Sequence, residues 1–166
     1  MQARNDRTVA ANPWAPKRYY FNSIFYTKLR DAGEYSYHVV QRWTRNVDVL
    51  AMENIFMTVN ISQTHWILVV VEKGPGSVRF YDSFAAEYPV VTDSIERWLI
   101  EEADFYGSET QPWTVEHPKC GCGAFTIKNM DYISRGSDVN TKTRSTACYR
   151  RRIAAELRAV TTGGTG

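Results

Sequence analysis

Three short segments of this chain carry side chains that could work together in covalent chemistry. Thr64-His65-Trp66 heads the apolar run 67–71, Tyr81-Asp82-Ser83 closes the next strand-like stretch, and Cys122-Gly123-Ala124-Phe125 opens a stretch with helical spacing. A thiol hydrolase needs a nucleophile, a base and a group that orients the base, and Cys122, His65 and Asp82 are of those types. A cysteine at a helix N-terminus meets unpaired backbone N–H groups and the positive end of the helix dipole, both of which favour the thiolate. His65 beside it could hold the pair as thiolate and imidazolium, with Asp82 fixing the ring and stabilising its charge. Gly121 and Gly123 on either side would let a substrate backbone approach closely. Read without its neighbours, Cys122 is an ordinary buried cysteine, the commonest state of that residue type.

Other reactive side chains point to less. Cys120 and Cys122 form a C-x-C pair near His117, but no second cysteine pair completes a four-ligand zinc site, so no metal is expected. Cys148 reads as a packing residue and His38 as a partly exposed helix residue without a role. Trp66 fits either the core or the wall of a slot beside the base. The basic cluster Arg150-Arg151-Arg152, with Lys142 and Arg144 nearby, reads as a solvated helix face.

The whole chain bounds these readings. Its 166 residues make one domain, and folding should bury roughly 70% of the unfolded surface. A net charge of +2 gives no argument for nucleic acid, and no apolar run approaches the roughly 20 residues of a membrane span. The first residues lack the apolar stretch of a secretory signal. Three cysteines cannot all pair within one chain, which fits a reducing, intracellular setting.

The elements that must position the three side chains follow from periodicity. Residues 1–16 read as a flexible lead-in and 18–21 as a short buried strand. Helices are expected over 22–32, with Gly33 as the stop, and over 35–45. In 54–61 the alternation of Ile55, Met57, Val59 and Ile61 predicts a strand exposed on one side. The run 66–71 is apolar throughout and predicts a central strand covered on both faces. Gly74-Pro75-Gly76 is turn chemistry, and 77–82 returns as the hairpin partner. A helix is expected from Thr92 to about Phe105, with Thr92 and Ser94 as cap candidates. Further helices are expected over 122–134 and 145–160, and a free tail over 161–166. The fold class is α+β, a small mostly antiparallel central sheet flanked by helices.

Taken together, these segments resemble the SUMO-specific (sentrin-specific) cysteine proteases, the ubiquitin-like-protein processing family related to adenoviral endopeptidase. Residues 20–29 are similar to the family's "FNTFFYxKL" helix, 40–44 to "VxRWT" and 47–50 to "VDIF". Residues 58–61 stand where "VPIH" precedes the histidine. His65 to Val70 resembles "HWxLxVI", Tyr81-Asp82-Ser83 resembles "YDS", and Cys122-Gly123-Ala124-Phe125 resembles "DCGVF". Residues 149–153 resemble "YFRRRM", and His65 and Asp82 keep the family's separation of 17 residues. The resemblance runs from about 18 to 158, and it is the colinear set rather than any single motif that is specific.

The resemblance implies an adenain-like cysteine-protease fold over residues 17–160. It implies Cys122 as nucleophile, His65 as base and Asp82 as its orienter, with Trp66, Gly121 and Gly123 lining a tunnel for a Gly-Gly tail. The implied reaction is cleavage after the C-terminal Gly-Gly of a SUMO-type modifier, in precursor processing or in release from a lysine. It also implies no cofactor, a monomer, and a nuclear or cytoplasmic location. The alternative is a weakly active or inactive relative that binds a ubiquitin-like modifier.

Three departures bear on that choice. Six residues before the cysteine the family has a glutamine that donates to the oxyanion, and here the residue is Glu116. An ionised carboxylate there would oppose the oxyanion, so Glu116→Gln is expected to raise turnover on the order of 100-fold; a drop would indicate a protonated, donating Glu116, and unchanged turnover another donor, with Gln111 the next candidate. Gly121 replaces the usual aspartate. The family's "WLND" stretch ahead of the first helix, which supplies an aromatic lid, has no match here; Trp14 is the candidate substitute.

Overall fold

In a computed structural model, the described residues are 15–118 together with Asp6, Ala10, Asn12, Met130, Tyr132 and Ile133. The expected lead-in, the helix over 145–160 and the tail lie wholly or mostly outside them, as does most of the helix expected over 122–134. Cys120, Gly121, Cys122, Gly123 and Cys148 are also outside.

The centre is a meander of three strands whose sequences alternate or are wholly apolar. β4 (Asn54–Ile61), β5 (His65–Glu72) and β6 (Ser77–Tyr81) pair antiparallel in chain order. The turn around Gly74-Pro75-Gly76 joins β5 to β6, with Gly76 at φ +66°. Two three-residue strands flank the meander, and both pair in parallel. β1 (Arg18–Tyr20) lies beside β4, and β7 (Thr114–Glu116) beside β6, giving the order β1-β4-β5-β6-β7. The sheet is therefore antiparallel in its middle and parallel at both edges.

Side-chain alternation on β5 splits the core in two. Ile67, Val69 and Val71 join Phe25, Leu29, Ile55, Met57 and Val78 on one face, beneath the long helix. Leu68 and Val70 join Phe56, Tyr81 and Met130 on the other. This second cluster corrects the expectation that β4 is open on one side. Phe56 is fully buried, stacked on Tyr20 at 4.7 Å and covered from the Met130 side.

The helices differ from expectation for local reasons. The first, α1, covers only Phe25–Leu29. Ala32 and Gly33 take positive φ and fold β2 (Arg30–Asp31) back on β3 (Glu34–Tyr35), so the chain turns where helical spacing continues. The second, α2, spans Tyr37–Val40 and tightens into a 3₁₀ turn at Gln41–Trp43. The long helix α3 spans Pro89–Tyr106 and begins earlier than expected, because proline is pre-set for the first helical turn. Thr92 and Ser94 are thus inside it rather than capping it, and the Ser94 hydroxyl donates to the Val90 carbonyl. Gly107, at φ +63°, ends α3 as the sequence chemistry of helix stops requires.

Candidate active site

The β4–β5 turn delivers His65. Ile61 and His65 pair across the hairpin mouth, and Ser62 and Gln63 between them take φ of 50° and 59°. Such left-handed conformations are uncommon for side chains other than glycine, asparagine and aspartate, and they cluster where surrounding structure fixes a functional geometry. On β6, Leu68 pairs with Tyr81. Continuing that register places Asp82 opposite Ile67, so His65 is its diagonal neighbour on the same face, within reach of two side chains.

They meet. His65 Nε2 and Asp82 Oδ1 are 2.5 Å apart, with the Asp82 side chain fully buried and that of His65 17% exposed. Asp82 accepts three further hydrogen bonds: from the Ala86 amide at 3.1 Å, the Tyr88 hydroxyl at 3.0 Å and the Phe84 amide. Burial by itself pushes the Asp82 carboxyl up. The bonds from His65, Ala86, Phe84 and Tyr88 outweigh it and hold the group below the usual carboxylate range. Burial and the same contact push the Tyr88 phenol up to about 12, so it stays a donor. With Nε2 committed to Asp82, Nδ1 is the imidazole nitrogen left to exchange a proton with a reacting group.

Ala85, at φ 50°, turns the loop after Asp82. That loop supplies three of the four donors to Asp82. An aspartate followed by a tight turn is the one sequence signal that could have flagged it, since aspartate carboxylates bond backbone two residues on. Tyr88 has no such signal. Two aromatic side chains stand exposed beside His65. Trp66 is 37% exposed, and Phe84 lies with its ring 4.8 Å from the imidazole.

Glu116 and Gln111 have partners of their own. Glu116 ends β7 opposite Arg79, whose Nε donates to it at 2.9 Å, while Glu72 accepts from the same guanidinium at 2.6 Å. The Glu116 carboxylate is thus half of an ion pair. Gln111 donates its side-chain amide to the Lys73 carbonyl, just past the end of β5 opposite His65. Eight residues of extended chain put about 26 Å between that carbonyl and His65, which disfavours Gln111 as an alternative oxyanion donor. Cys122, Gly121 and Gly123 lie outside the described residues. Met130, eight residues after Cys122, is buried against Leu68, Val70 and Tyr81. Among the described residues no group of three or more His, Cys, Asp or Glu side chains could hold a metal ion. No helix among them is long and apolar enough to cross a membrane.

The model of the Ulp1 protease family, C-terminal catalytic domain, matches residues 4–162. A sentrin-specific protease of Caenorhabditis elegans is 28% identical over 153 residues, covering 86% of this chain and 21% of that protein. Ubiquitin-like-specific protease 1A of Arabidopsis thaliana is 27% identical over 157 residues, covering 85% and 31%. Human sentrin-specific protease 2 is 24% identical over 155 residues, covering 86% and 26%. The chain therefore spans about a fifth to a third of these curated relatives. Among solved structures, the Chaetomium thermophilum Ulp1-like SUMO protease catalytic domain superposes with a TM-score of 0.71 at 23% identity, covering 93% of this chain and 65% of that one. The C-terminal Ulp1 protease domain in complex with Smt3, the yeast ortholog of SUMO, gives 0.61 at 23% identity, covering 76% and 61%. At these identities the superpositions describe the fold.

Proposed function

This chain belongs to the Ulp1 protease family, and from that membership we propose that it is a thiol protease cleaving after the C-terminal Gly-Gly of a SUMO-type modifier. The observation that carries the reading is the 2.5 Å pair of His65 and Asp82, with Nδ1 left to face a nucleophile. Cys122 is that nucleophile, by its place in the Gly-Cys-Gly-Ala-Phe motif. It lies eight residues of chain from Met130, which packs on Tyr81 beside Asp82.

The steps follow from these groups. The Cys122 thiolate attacks the terminal glycine carbonyl carbon, and the C=O pair moves onto oxygen. As the tetrahedral adduct collapses, the C–N bond breaks and the Nδ1 proton of His65 passes to the leaving nitrogen, freeing the amine and leaving a thioester. Water then attacks the thioester, with His65 taking its proton. Collapse releases the modifier's carboxylic acid, which gives its proton to solvent, and returns thiolate and imidazolium. Asp82 stays ionised throughout and stabilises the imidazolium. In this reading Trp66, Gly121 and Gly123 are assigned to the passage for the two residues without side chains, which selects against residues that carry a Cβ. The partners are the modifier and its lysine conjugates, and the setting is a reducing one, nuclear or cytoplasmic.

The test is a modifier carrying a C-terminal electrophile. SUMO should form a covalent adduct at Cys122 that Cys122→Ser abolishes. Adduct at Cys120 or Cys148 overturns the nucleophile; preference for ubiquitin overturns the substrate class; binding without adduct leaves the inactive modifier-binding protein.

A further inference from the structure

Phe84 is 71% exposed, more than any other large hydrophobic side chain among the described residues. A single exposed aromatic is ordinary on a protein surface; what sets this one apart is that its loop holds it against the His65 imidazole. The loop holds it firmly. The Phe84 and Ala86 amides both bond Asp82, and Ala85 between them takes φ 50°, a conformation that disfavours alanine. The result is a ring lying over His65 at 4.8 Å, tilted by 42°.

We propose that Phe84 is a specificity-determining contact for the aliphatic stem of the lysine on the leaving side of the scissile bond. The inference rests on the protease reading above. The proton leaving His65 goes to the departing nitrogen, so the carbon chain on that nitrogen must pass within a few ångströms of the imidazole and of the ring lying over it. Trp66 alternates onto the Leu68 and Val70 face of β5, whereas His65 shares the face of Ile67, so of the two exposed aromatics it is Phe84 that lies against the imidazole. Four methylenes ending in a nitrogen suit an aromatic plane, which can cover the stem and tolerate the positive charge as the amine forms.

The experiment compares two modifier amides that share the acyl half and an alkylamine leaving group, the methylamide and the Nε-amide of Nα-acetyl-lysine. In the wild-type protein kcat/KM should favour the lysine amide. Phe84→Ala should cut that preference about tenfold, as expected from uncovering one or two methylenes, and Phe84→Leu should restore most of it. An equal fall on both substrates would mean that Phe84 acts only through His65 and overturns the proposal, as does an unchanged ratio. A wild-type protein that cleaves neither amide and forms no electrophile adduct overturns the protease reading itself, and this inference with it.

Discussion

Asp82 meets His65 with one carboxylate oxygen, at 2.5 Å, and accepts from Ala86 and Tyr88 with the other, at 3.1 and 3.0 Å. The carboxylate is therefore anchored on one side so that it can orient on the other. A buried carboxylate without such donors would be neutral and could not stabilise an imidazolium.

Asp82→Asn should lower turnover on the order of 10³- to 10⁴-fold, because the ring loses its charge partner and its preferred tautomer. His65→Ala should remove nearly all turnover and leave the fold intact, read by circular dichroism. Stability carries a second signature. The folded Asp82 pKa lies below the unfolded one, so its contribution is present above about pH 4 and is lost as pH falls through the folded value. Asp82→Asn should remove that limb of the acid denaturation curve.

Tyr88→Phe deletes one donor and keeps the ring. A hydrogen bond to a buried charge is typically worth about 1.5–3 kcal/mol, and urea denaturation at pH 7 should show a loss of that order. The same variant should move the Asp82 limb of the acid curve upward, toward the ordinary carboxylate range, which loss of packing alone does not do.

Glu116→Gln tests whether this carboxylate opposes the oxyanion. Because Arg79 holds it at 2.9 Å, the expected gain in turnover is under tenfold rather than the 100-fold expected of a bare carboxylate. Stability should fall by no more than about 1 kcal/mol, since both partners are partly exposed. A 100-fold gain would mean that Glu116 leaves Arg79 when substrate binds.

Glu102 carries the opposite sign of pH dependence. It is fully buried on α3 and accepts the Tyr37 hydroxyl at 2.8 Å. Burial pushes its carboxyl up; bonds from Thr44 and Tyr37 pull it down less than that, and Asp48 nearby adds to the rise. Its stabilisation is thus complete below the unfolded value near 4.3 and is lost as pH climbs through the raised one. Glu102→Gln should flatten the stability profile above pH 4.3 and equal or exceed wild-type stability at pH 7, measured by thermal denaturation across pH.

The sequence revealed most where periodicity and turn chemistry agree. β4, β5 and β6 were legible in the alternation of 54–61, the apolar run 66–71 and Gly74-Pro75-Gly76. So was the face shared by His65 and Asp82, once the hairpin was drawn. The parallel edges were hidden, because three-residue strands such as β1 and β7 carry no period and their partners lie far along the chain. Helical spacing over 22–32 could not disclose that Ala32 and Gly33 bend backward. Nor could residue types show that Glu116 is claimed by Arg79, or that Phe84 stays in water beside the imidazole.

The arrangement of strands also sets an order of assembly. Short turns close β4 on β5 and β5 on β6, whereas β1 and β7 reach their neighbours only after long stretches of chain, the second of them crossing through α3. Closing a short loop loses less entropy, so contacts local in sequence form sooner. The meander that carries both His65 and Asp82 is then the early piece of the molecule, with the outer strands added later and shed first. Partial opening would release the Arg79–Glu116 link while His65 still faces Asp82, and amide exchange should be slowest in β4 and β5. His65 and Asp82 are in place before the rest of the sheet.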